Sequence, residues 1–128
     1  MRPIYDNNLF TLECRIMNQI VDEHSAVIMG RGGFHSLRDR LEVIRIFVHA
    51  PKEFRVNRIM MVCNIGDMRE ARDEVGESDR RKAKFIRDMV GIHCTDARNY
   101  HLCIDSSAVD FPTSVEMIIR MVEKKRVI

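Results

Sequence analysis

The chain has no tryptophan, only six glycines, no long apolar run and almost no net charge, and these shortages close off several classes of function. A formal charge of +2 over 128 residues is too mild for a nucleic-acid binder, and the basic residues are interleaved with acidic ones instead of forming a stripe. No stretch approaches the length needed to span a bilayer, so no membrane partner is expected. The start, Met1-Arg2-Pro3-Ile4-Tyr5-Asp6, lacks the apolar core of a signal peptide, which leads us to expect a soluble cytoplasmic protein. In that compartment Cys14, Cys63, Cys94 and Cys103 are expected as free thiols. Repeats and low-complexity tracts are also missing. What is present is 45% hydrophobic residues, enough for a single domain over 1–128 to bury about two-thirds of its unfolded surface without disulfides. Nine methionines point to adaptable packing.

Apolar spacing organises the chain. Leu9, Leu12, Ile16, Ile20 and Val21 recur at helical intervals, predicting an amphipathic helix from about Asn8 to His24. Ala26–Met29 reads as a short strand, Val43–Val48 as a second and Leu102–Ile104 as a third. Pro51 suits the first turn of a helix that should carry Phe54, Ile59 and Val62 inward and show Arg55 and Arg58 at the sheet's edge. Asp67 with Glu70 three residues later resembles a capping box, and Gly91 is a plausible helix stop. The last helix should start at Asp110 or Thr113 and face the core with Val115, Ile118, Ile119 and Val122. Strands separated by helices call for parallel crossovers, hence an α/β fold with a small parallel sheet of about three strands flanked by helices.

From Asp67 to Asp88 the composition changes to crowded charges of both signs with few apolar anchors, interrupted by Gly76. Such a helical segment is either a solvated face or a mobile lid hinged at Gly76. Immediately after the first predicted strand stands Gly30-Arg31-Gly32-Gly33. Glycines let the backbone turn sharply and let a ligand approach it closely. Arg31 places a planar cation there, suited to a phosphate or carboxylate. The loop lies at the carboxyl end of a strand, where open α/β sheets bind ligands. The alternative is a tight strand-to-helix turn whose arginine is merely solvated.

Four segments in order resemble the cytidylate kinase-like family, a branch of the nucleoside monophosphate kinases within the P-loop fold. They are Val27–Gly33; Phe47–Pro51 with Glu53, Arg55-Val56 and Arg58-Ile59; Glu77–Arg80 with Ala83 and Phe85; and Asn99–Ser106. The resemblance runs from near Asn8 to near Val122 and implies an incomplete three-layer kinase-like fold with a helical lid over 67–91. It also implies roles. Gly30 and Arg31 would contact the monophosphate, with Asp79 in the substrate-side lid segment. Arg58, Arg80 and Lys82 would neutralise charge during phosphoryl transfer, and Asp105-Ser106 would lie beside the nucleotide base. ATP and Mg²⁺ are implied by the resemblance alone, and the implied substrate is a nucleoside monophosphate, with CMP the first candidate.

One departure stands out. Family members begin with a strand, a glycine-rich phosphate loop and its helix, and no G-x-x-x-x-G-K-[ST] arrangement occurs in this sequence. The expectation is therefore a truncated or split product, catalytically silent as an isolated chain. A non-catalytic nucleotide- or anion-binding module, or an assembly module, is the alternative. In the resembled fold the absent strand lies between the strand ending at Met29 and the one ending at His49. Those two strands then either close up directly or leave a slot for a strand from a second copy or another partner.

Two further sets of residues bear on metal and nucleic-acid binding. His93, Cys94, His101 and Cys103 are metal-capable, but their spacing fits no common zinc template, and no metal site is predicted. Arg80-Arg81-Lys82 is flanked by Glu74, Glu77 and Asp79, which favours a solvated face or a lid over a nucleic-acid patch.

Overall fold

The computed structural model describes residues 7–125, in the order α1 (Asn7–Glu23), α2 (Gly33–Ser36), β1 (Ile46–His49), α3 (Lys52–Val62), α4 (Met68–Val90), β2 (Leu102–Asp105) and α5 (Phe111–Lys124). A single 3₁₀ turn, Ala97–Asn99, precedes β2. β1 and β2 pair in parallel, with Ile46 opposite Leu102 and His49 opposite Asp105. Alternation puts Ile46, Val48, Leu102 and Ile104 on one face of the sheet and Phe47, His49, Cys103 and Asp105 on the other.

The first predicted strand, Ala26–Met29, does not form. Residues 26–29 carry no strand geometry, and the sheet holds two strands among the described residues. Strand formation is a pairing property, and an apolar run without a neighbouring ladder has nothing to bond to. Val27 and Met29 stay 89% and 85% exposed, while Ile28 turns inward against Gly33. The segments ending at Met29 and His49 have thus not closed up on each other.

Helix ends follow local chemistry. The Asp67 carboxylate accepts the Arg69 N–H and caps α4, and Asp110 accepts the Thr113 N–H and caps α5. Gly91, left-handed at φ 78°, stops α4 by donating to the carbonyls of Arg87 and Ile86. Pro51 caps α3 instead of occupying its first turn. The inward face of α3 also differs from expectation. Val56 is fully buried, while Phe54 and Val62 are 38% and 67% exposed.

α4 is one unbroken helix of 23 residues, about 35 Å long, so Gly76 is not a break. Its first third packs Ala71 and Val75 against Val56, Ile59 and Met60 of α3 and Ile65 in the connecting loop. Its last third packs Phe85 and Ile86 with Cys94, Phe10 and Phe34. The stretch between them, Glu77 to Lys84, is exposed throughout. Charged side chains suit it because a helix spanning two cores has no third face to bury at its centre. α5 contributes no buried residue, and Phe111, Val115, Ile119 and Val122 stand 50–59% exposed. The expected core-facing stripe therefore exists as a pattern without a cover among the described residues.

Candidate functional site

The glycine turn is built from three consecutive left-handed residues: Gly30 at φ 70°, Arg31 at 56° and Gly32 at 71°. For the two glycines this backbone is free of strain, while for Arg31 it costs about 1–2 kcal/mol. Side-chain contacts hold Arg31 there. Its guanidinium makes a fork to Glu13 on α1, Nη2 to Oε1 at 2.7 Å and Nε to Oε2 at 3.0 Å. The same cation lies over the Phe85 ring of α4, 4.6 Å from its centre. Gly32 sits against the edge of Phe10 and against Ile86, which joins the turn to the second core.

An aromatic line runs from the turn to the strand ends. Phe34, directly after Gly33, packs on Tyr100 at 5.1 Å; Tyr100 stacks on Phe47 of β1 at 4.9 Å; Phe47 meets His49 at 5.3 Å. Lys82 extends from the exposed middle of α4 to lie 5.5 Å over the Phe47 ring. Arg31 and Lys82 therefore both rest on this half of the molecule, one on Phe85 and the other on Phe47. The Tyr100 hydroxyl donates to the Cys94 carbonyl at 2.5 Å. Burial, with smaller contributions from Cys94 and Cys103, pushes its pKa up to about 12.

The other predicted residues are placed differently. Asp79 forms a two-armed ion pair with Arg55, at 2.7 and 3.0 Å, and Arg55 also donates to the Ala50 carbonyl just past β1. This clamps α4 to the carboxyl end of the sheet. Arg80 pairs with Glu77 at 3.1 Å and, with Lys52, leans over the bare backbone of Gly76. Arg58 lies 4.7 Å over the ring of Phe111 at the start of α5. Ser106 closes the sheet end by donating its N–H to the His49 carbonyl at 2.9 Å. The Asp105 carboxylate accepts from the Ser107 hydroxyl and N–H, bonds that hold its pKa below the usual range. Two surface hollows, of about 460 and about 340 Å³, lie against the Leu102–Met117–Met121 side of α5 and along the acidic start of α4. No predicted site residue lines either one.

The cytidylate kinase-like family matches residues 2–108. This chain belongs to the cytidylate kinase-like family. A crystal structure of an uncharacterized protein from Eubacterium ventriosum shares its fold, with a TM-score of 0.82 at 22% identity, over 96% of this chain and 68% of that one. No curated protein matches the chain.

Family membership implies ATP and Mg²⁺, which can be tested against the donors present. The N–H groups of Gly33, His35 and Ser36 are all spent inside the turn, on the carbonyls of Gly30 and Gly32. The helix that follows has four residues, too short for much of a dipole. Among the described residues no group of three or more His, Cys, Asp or Glu could hold a metal ion. Those three N–H groups are therefore committed to the turn itself and not turned towards a donor triphosphate. His101 accepts the Arg45 N–H at Nδ1, and Cys94 packs in the second core. No described helix is long and apolar enough to cross a membrane.

Glu13, Phe85 and Tyr100 were not foreseen as site residues. Glu13 carried a faint signal, a carboxylate at the edge of the otherwise apolar stripe of α1.

Proposed function

We propose that this cytidylate kinase-like chain carries the acceptor side of a nucleoside monophosphate kinase and binds the phosphate of a nucleoside monophosphate, CMP first among them. Arg31 is the anchoring cation, at the turn beyond residues 26–29, and the observation that carries the reading is its fixed placement by Glu13 and Phe85 within a family-matching segment. Lys82 supplies a second cation from α4, and Arg80 and Arg58 stand at the margins. Asp79 acts through Arg55 to hold α4 at the strand ends, while Gly30 gives the turn its shape and Asp105-Ser106 closes the base side.

Phosphoryl transfer needs backbone donors for the ATP phosphates, and losing even one preorganised donor costs about a hundredfold to a thousandfold in rate. In this reading the described residues alone bind acceptor without turnover. Calorimetric titration with CMP tests it. We expect saturable binding that Arg31→Ala abolishes and no phosphate transfer from ATP in a coupled assay. Absence of binding by CMP, UMP and AMP would refute it.

A second reading, an assembly module, is favoured by the half-exposed apolar residues of α1 (Leu12, Ile16) and α5 (Phe111, Val115) and by the two outer edges of the sheet, which no further strand covers among the described residues. A second copy or a partner strand would then be the ligand, and sedimentation would reveal a concentration-dependent assembly.

A further inference from the structure

The cation assigned to the substrate phosphate already holds an anion. Glu13 offers both carboxylate oxygens to Arg31, with Nη2 at 2.7 and 2.9 Å and Nε at 3.0 Å. The side chain of Glu13 keeps 24% of its surface exposed and that of Arg31 keeps 42%, so the pair lies at the rim and not in the core. A guanidinium presents the same planar fork to a carboxylate and to a phosphate. Phe85 supports the cation from its face, 4.6 Å away, independently of Glu13.

We propose that Glu13 is a built-in stand-in for the substrate phosphate, so that a nucleoside monophosphate binds Arg31 by displacing this carboxylate. The proposal rests on the reading of Arg31 as the acceptor-phosphate contact and adds how that contact is gated. Two consequences follow from the geometry. Neutralising residue 13 leaves Arg31 seated on Phe85 within the left-handed turn, while removing a negative charge from the place a phosphate must enter. Displacing Glu13 also breaks its link between α1 and the turn 18 residues away, while Phe10 against Gly32 and Phe85, and Cys14 against Ser36, keep the helix in place.

A partly exposed ion pair of this kind is worth up to about 1 kcal/mol, which converts to about a fivefold change in affinity. The experiment is calorimetric titration of CMP into the wild-type chain, Glu13→Gln, Arg31→Ala and the double variant, each first shown to be folded by circular dichroism. Glu13→Gln should tighten CMP binding about fivefold, and the gain should vanish when Arg31 is alanine. If Glu13→Gln binds CMP no better than wild type while Arg31→Ala still abolishes binding, the stand-in is refuted and the Arg31 reading survives. If no variant binds CMP, or Arg31→Ala binds as wild type does, both fall together.

Discussion

Replacing Gly76 by alanine should make the protein more stable, although the residue is buried and sits where a lid hinge would be drawn. Gly76 lies inside an unbroken helix with ordinary helical neighbours on both sides, and a glycine there costs about 1 kcal/mol relative to alanine. The added methyl would meet Lys52 Nζ at 3.3 Å and the Arg80 guanidinium at 3.6 and 3.8 Å. All three atoms are the ends of long, flexible side chains, and moving Lys52 by a few tenths of an ångström returns only a small part of the gain. The net expectation is about 0.5–1 kcal/mol of added stability, or roughly 2–4 °C in Tm for a chain of this size. Urea and thermal unfolding followed by circular dichroism measure it. A loss of about 1 kcal/mol or more would show that the helix does not run through residue 76 in solution, and the account of α4 as a rigid bridge between two cores would fail.

Val56→Ala removes two carbons from a fully buried site packed on Ala71 and Val75, and should cost about 2 kcal/mol in urea unfolding. A double-mutant cycle on Arg55 and Asp79 should give a coupling of about 0.5–1 kcal/mol, the upper end for a pair this exposed, because the contact has two arms. Tyr100 should ionise near pH 12, which absorbance titration of a Tyr5→Phe variant reads without interference from the second tyrosine. Because its folded pKa is raised, the contribution of Tyr100 to stability is fully present below its unfolded pKa of about 10 and is lost as pH climbs from there towards 12. Ionisation near pH 10 in the folded state would contradict the burial of its hydroxyl.

Local signals in the sequence were reliable wherever the chemistry was itself local. Asp67, Gly91 and Asp110 mark helix ends because their bonds reach only two to five residues along the chain. The α1 helix and the two real strands were legible from spacing for the same reason, although Leu9, Leu12, Ile16 and Ile20 of the α1 stripe stand 38–49% exposed and Met17 is the buried residue of that helix. Failure came where a partner decides the outcome. Ala26–Met29 has strand composition, yet a ladder needs a neighbour that its sequence cannot provide. Gly76 reads as a break because propensity disfavours it, but packing against the start of α3 and ordinary helix bonding outweigh about 1 kcal/mol. The apolar period of α5 shows which residues share a face and is silent on whether anything covers it. At the site, Arg31 was visible from its glycines, whereas Glu13 and Phe85 reach it from 18 and 54 positions away.

The central claim is that the glycine turn and the sheet end form one acceptor site for a nucleoside monophosphate. Amide chemical-shift mapping of the ¹⁵N-labelled chain during a CMP titration tests it most directly. The account predicts concerted shifts at Gly30, Arg31 and Gly32 together with His49 and Ser106, saturating at a single affinity. Shifts confined to α5 or to the acidic start of α4, with residues 30–32 unmoved at saturation, would contradict it.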